Sequence, residues 1–231
     1  MLVRYSLINQ ASGSIGGVTG ARNRGGNYLR KRVKPNNPKT DAQYSARLAL
    51  AGAASGWRAL TDGQRLAWAG YADSLAGQNS VGEEAKPSGF QCFVATNSLR
   101  KRLGLSNITT APVTPGRATF TPPTAVEYDT GAQDVTLDIT LTDSWAATAG
   151  GVLYVQFGKA VSQGVTYYSS PFQIVAQQVR GASAPSDPLV LASVEAPYGD
   201  LDAGANVRVR IGTMDSTGRL STPWEGTLTI A

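Results

Sequence analysis

Apolar and polar residues follow three different rules along this chain. Up to about residue 39 no period lasts long enough to specify an element: Gly16, Gly17, Gly20, Gly25 and Gly26 are mixed with Arg22, Arg24, Arg30, Lys31, Arg32, Lys34 and Lys39. Only the brief alternation Val3, Tyr5, Leu7 predicts a short edge strand. From there to residue 104 the spacing is helical. Thr40 or Asp41 caps a first helix, with Tyr44, Leu48, Ala51 and Trp57 roughly on one face. Thr61 to Gln64, TDGQ, is a capping box, in which a Thr hydroxyl and a Gln three residues on satisfy the first free N–H groups of a helix. The helix behind it runs to about Leu75 on Leu66, Trp68, Tyr71, Ala72 and Leu75. Ser88 to Gln91, SGFQ, is a second capping box, and its helix carries Phe90, Phe93, Val94 and Leu99. Gly104 suits the position just past that helix, and Arg100, Lys101 and Arg102 suit the negative end of its dipole.

After residue 105 the pattern changes to short alternating runs. VTLDITL at 135–141, VLYVQFG at 152–158, PFQIVAQQV at 171–179, PLVLASV at 188–194, NVRVRIG at 206–212 and EGTLTI at 225–230 each read as a strand. A further strand within 113–126 brings the count to about seven. The chain therefore divides into an extended basic arm at 1–39, a three-helix module at 40–104, a Pro/Thr-rich linker with the first strand at 105–124, and a β domain at 125–231. The expected fold class is α+β and multidomain: an extended N-terminal arm, a small three-helix module and a C-terminal antiparallel β-sandwich.

Composition removes most catalytic chemistry. Histidine is absent and Cys92 is the sole cysteine, so there is no His base, no Ser-His or Cys-His pair, no His metal site and no internal disulfide. Asp134, Asp138 and Asp143 are the remaining carboxylate candidates, and their positions read as solvated strand or loop faces. No P-loop string occurs, and Pro35 and Pro38 separate the glycine-rich stretch from the first helix. The expectation is a non-enzyme with no catalytic, cofactor or metal site. No apolar run is long enough for a membrane helix, and the start of the chain lacks the pattern of a secretory leader.

Charge sharpens the division. Residues 1–105 hold fifteen Lys or Arg and five Asp or Glu, whereas residues 106–231 hold six and eleven. Arg22, Arg24, Tyr28, Arg30, Lys31, Arg32 and Lys34 are the candidate contacts of the arm, to another subunit or to DNA. The acidic second half of a neighbouring copy is one partner for this charge. Trp57, Leu60, Leu66, Trp68, Tyr71, Phe90 and Phe93 are expected to form the helical core.

Two resemblances follow. LDAGANVRVRIGTMDSTGRLSTPWEGTLTI, at 201–230, resembles the end of a fibronectin type III or immunoglobulin-like domain, with the alternating strand Val207, Val209, Ile211, a turn at Asp215 to Gly218 and a final strand. The first half resembles an uncharacterised family of tailed-phage and prophage proteins. That likeness rests on the glycine-rich basic segment, on the GG-x-Y-x-R element Gly25, Gly26, Tyr28, Arg30, and on a W-x-x-L-T-x-x-Q-R-x-x-W hairpin at Trp57, Leu60, Thr61, Gln64, Arg65 and Trp68. It implies a structural role in a virion made in the bacterial host cytoplasm, in the capsid, neck or tail. The partners implied are itself and other virion proteins, with packaged DNA a further candidate and with no membrane and no small-molecule substrate. The alternative is a sequence-nonspecific DNA-binding protein, since WRALTDGQRLAWAGYA also resembles part of an HMG box.

Overall fold

The computed structural model describes residues 12–23, 26–34, 36–75, 77–78, 84–165, 171–192, 194, 201 and 204–230. The Val3, Tyr5, Leu7 alternation lies outside them. The chain forms two compact units, Met1–Gln43 and Tyr44–Ala231.

In the first unit, β1 (Gly13–Ile15), β2 (Val18–Asn23) and β3 (Gly26–Lys31) form an antiparallel sheet in the order β1-β2-β3. The sequence reading found no element here except near the start, and the structure corrects it. Ladder hydrogen bonds come from the backbone, so glycines and cations can pair without an apolar alternation to advertise them. Gly16, at φ +59°, lies in the turn between β1 and β2, where its lack of a Cβ permits the left-handed backbone. The Arg32 N–H extends the β2–β3 edge by donating to the Gly17 carbonyl at 2.8 Å.

Three helices follow: α1 (Asp41–Arg58), α2 (Asp62–Asp73) and α3 (Gly89–Arg102). The Gln43 N–H points to the Thr40 hydroxyl at 3.4 Å ahead of α1. Both capping boxes form: Thr61 with Gln64 opens α2, and Ser88 with Gln91 opens α3. Gly104, at φ +70°, ends α3 with its N–H on the Lys101 carbonyl, while the Leu105 N–H reaches the Arg100 carbonyl. These are the paired bonds of a glycine-terminated helix, and they satisfy carbonyls that the last turn leaves free. A two-residue ladder, β4 (Gly77–Gln78) with β5 (Glu84–Ala85), lies between α2 and α3.

No strand lies within 113–125 among the described residues. The first strand of the second half is β6 (Val126–Asp129), followed by β7 (Asp134–Leu137), β8 (Val152–Phe157), β9 (Gln173–Val179), β10 (Leu189–Leu191), β11 (Asn206–Met214) and β12 (Trp224–Thr229). The described residues hold four helices, not three: α4 (Ser144–Ala147) is a single turn between β7 and β8. The strands make two antiparallel sheets, ordered β10-β7-β6 and β12-β11-β8-β9. The molecule is thus a mixed α+β protein.

Alternation explains the β core. Val207, Val209 and Ile211 of β11 and Leu153, Val155 and Phe157 of β8 are buried, and so are Val135, Leu137, Leu189 and Leu191 of the other sheet. All ten belong to one apolar cluster, which Trp145 of α4 completes. The Tyr128 ring of β6 meets Phe157 of β8 edge-on at 5.9 Å, joining the two sheets.

Candidate functional site

The arm sheet places its cations on both faces. Register pairs Thr19 with Arg30 and Ala21 with Tyr28, so these four share one face. Ser14 pairs with Thr19 on that face, their hydroxyls 2.7 Å apart. The other face carries Ile15 opposite Val18, with Val18 opposite Lys31 and Gly20 opposite Leu29. Arg30, Lys31, Arg32 and Lys34 are all exposed. Ile15 and Val18 are 89% and 46% exposed, and none of residues 12–21 and 28–34 is buried. Arg22 lies in β2, opposite Asn27. Arg24 lies outside the described residues.

The helical core forms around Trp68 and Phe93, both fully buried, their rings edge-on at 5.4 Å. Tyr71 and Leu60 are also buried, and Trp57 packs edge-on against Phe93 at 5.4 Å. Two expected core residues are not core. Leu66 is 74% exposed, because it lies two residues before Trp68 and so projects from the opposite side of α2. Phe90 is 41% exposed: it sits in the first turn of α3, where Trp57 meets it edge-on at 5.6 Å. On α1, Tyr44 and Leu48 are exposed, while Ala49 and Ala53 are buried, so the small-residue stripe faces inward.

The sequence reading missed the seam between the helices and the β half. Residues 105–124 are a pinned strap. The Trp68 indole N–H donates to the Thr109 carbonyl at 3.0 Å, and the Tyr71 hydroxyl donates to the Gly116 carbonyl at 3.2 Å. Further along, the Thr121 N–H and hydroxyl donate to the Asp143 carboxylate at 2.8 and 3.0 Å. Asp143 is therefore buried in this clamp, correcting its reading as a solvated residue. Away from the strap, the Thr96 hydroxyl of α3 donates to the Gly218 carbonyl at 2.9 Å, and the Gln177 amide of β9 donates to the Leu103 carbonyl at 3.1 Å. Leu103, Val152 and Met214 form a small apolar cluster across the same seam. A lone polar side chain such as Thr96 or Gln177 gives no local pattern that would announce such a bond.

The turn after β11 is organised by Asp215. Its carboxylate accepts from the Thr217 N–H and hydroxyl and the Arg219 N–H, and pairs with the Arg219 Nε at 2.7 Å. Beside it, burial is the main cause that pushes the Tyr71 phenol up to about 12, with Cys92 and Asp215 adding to it and Arg219 and Arg117 opposing. Burial also pushes the Cys92 thiol above its ordinary range, again against Arg117. Among the described residues no group of three or more His, Cys, Asp or Glu could hold a metal ion, and no helix is long and apolar enough to cross a membrane.

These features define a mixed α+β protein with a cationic three-stranded sheet in its first unit and helices sewn to two β-sheets in its second. No protein-family model, curated protein sequence or solved structure matches the chain.

Proposed function

We propose that the protein is a non-enzymatic structural component of a tailed-phage particle, assembling with its own copies or with other virion proteins through the arm sheet and the helical module. One observation carries this reading: the arm sheet buries none of its residues at 13–21 and 28–31, yet exposes Ile15 and Val18 beside Lys31 and presents Arg30 on its other face. A three-stranded sheet needs an apolar face covered to be stable. A strip of apolar residues edged with cations suits an acidic protein surface, and residues 106–231 of a second copy hold nine Asp and Glu besides the buried Asp143 and Asp215. The virion context comes from the sequence resemblance.

The two β-sheets are best read as a fibronectin type III-like sandwich. The first, second and fifth strands of the β half share one sheet, and the third, sixth and seventh share the other. This order supports the reading, since it resembles the strand division of an immunoglobulin-like domain with the fourth strand, β9, beside the third.

Deleting residues 1–35 tests the proposal. The truncated chain should keep its circular dichroism and melting behaviour but lose assembly in native mass spectrometry and electron microscopy; normal assembly without the arm overturns it. Sequence-nonspecific DNA binding is the second reading, favoured by the exposure of Arg30, Lys31, Arg32 and Lys34. It predicts tight duplex binding by the monomer with a steep loss of affinity between two salt concentrations.

A further inference from the structure

An outward stripe runs the whole length of α1. Asp41, Tyr44, Leu48, Ala51, Ser55 and Arg58 follow one another at alternating steps of three and four residues, the seam spacing of a coiled coil. All six are exposed. The buried Ala49 and Ala53 mark the inward side, and at about 100° per residue they lie across the helix from this stripe. No residue of 41–48 is buried, so the first two turns of α1 lack the packing from which helices in proteins draw most of their stability. We propose that the stripe pairs with the same stripe of a second copy, α1 against α1 in antiparallel register about a twofold axis. This rests on the reading that the helical module is an assembly surface, and it names that surface's partner.

The residues choose both the partner and its direction. Large side chains, Tyr44 and Leu48, occupy the first half of the stripe, and small ones, Ala51 and Ser55, the second. An antiparallel register that sets Leu48 against Ala51 of the other copy also sets Tyr44 against Ser55 and Asp41 against Arg58. Large then meets small in every layer, which lets facing side chains interdigitate. The acid at one end meets the base at the other, so charge complements charge. A parallel pairing would instead stack Tyr44 on Tyr44, leave Ser55 facing Ser55, and set like charges together at both ends. The stripe is thus complementary to its own reversal. A twofold contact requires that property, whereas an unrelated partner would not.

Sedimentation of the full-length protein over a concentration series should show a dimer step. Leu48→Glu should weaken that step about tenfold or more, because each copy would bury a charge without a partner. Leu50→Glu is the control. Leu50 is 53% exposed against 54% for Leu48 but lies off the stripe, so its variant should dimerise normally. Both variants should keep native circular dichroism. Cross-linking reads the register independently: a mixture of the Tyr44→Cys and Ser55→Cys variants should form an interchain disulfide on oxidation, and neither variant alone should, the native Cys92 being buried. Absence of self-association overturns the proposal. So does equal dimerisation of Leu48→Glu and Leu50→Glu, or a mixture that yields no disulfide. The arm is judged separately. Assembly that is lost on deleting residues 1–35 but untouched by Leu48→Glu removes this inference and leaves the arm reading standing, whereas a dimer that survives the deletion and is lost in Leu48→Glu supports this inference without the arm.

Discussion

Asn97 and Ile108 are hydrogen-bonded in both directions. The Asn97 Oδ1 accepts from the Ile108 N–H at 2.7 Å, and its Nδ2 donates to the Ile108 carbonyl at 3.1 Å. The same Nδ2 donates to the Phe93 carbonyl of its own helix at 3.1 Å, and the side chain is fully buried. A side-chain amide carries a donor and an acceptor side by side, so it can satisfy both the N–H and the C=O of a single residue. Asn97 thus acts as one rung of a sheet supplied by a helix, and it starts the strap on its course toward the β half.

Replacing Asn97 by Leu should therefore be costly. It keeps the heavy-atom count and branching but leaves a part-buried N–H and a part-buried carbonyl of Ile108 without this partner. The expected loss is about 2–4 kcal/mol of unfolding free energy, measured by urea denaturation. Limited proteolysis should also find new cleavage within 105–124. A stability loss below about 0.5 kcal/mol, within the range of ordinary surface substitutions, would mean that the rung is dispensable.

Two glycines of the helical module should respond in opposite directions to alanine. At Gly89 an added Cβ would lie 2.7 Å from the Ala69 nitrogen and 2.9 Å from the Trp68 carbonyl carbon, both backbone atoms. Backbone cannot swing aside, so Gly89→Ala should push α2 from α3 and cost about 1–3 kcal/mol. At Gly70, in the exposed interior of α2, nothing lies within 4 Å. Gly70→Ala should stabilise by about 0.4–1 kcal/mol through helix propensity and a less free unfolded chain. Thermal melts of the two variants side by side give the check.

Alkaline pH should reveal the seam as well. Tyr71 has a folded pKa near 12, above its ordinary value of 10.0, and burial raises Tyr154 too. Between those two values the unfolded chain releases the Tyr71 proton while the folded chain retains it. This contribution to stability is complete below pH 10 and falls away as pH rises toward 12. Absorbance at alkaline pH should show a late-titrating tyrosine fraction. Tyr71→Phe should remove part of it and reduce the slope of stability against pH in that window. An unchanged slope would place the late fraction elsewhere.

What could be read from the sequence was local or strictly periodic. The capping boxes at Thr61 and Ser88 and the stop at Gly104 form within a few residues of chain, so the sequence states them almost completely. Val207, Val209 and Ile211 alternate and are buried in that alternation. On α1 and α2 the same logic misled, because residue size is not direction. Ala49 and Ala53 let α1 bury its small-residue stripe, leaving Tyr44 and Leu48 outside, and Leu66 faces away from Trp68. The arm sheet was hidden because its pairing is made by backbone groups between glycines and cations.

The pinned strap also bears on how such a chain can change over time. A helical segment followed by a β segment looks like two cassettes that recombination could trade separately. Yet Trp68, Tyr71 and Asn97 complete their hydrogen bonds on residues 108–116, and Thr96 completes its own on Gly218. A transplanted β half that lacked a fitted strap would leave those buried groups stranded. The heritable unit is therefore the whole second unit with α1 intact, and new material is best joined ahead of Thr40, before α1 begins.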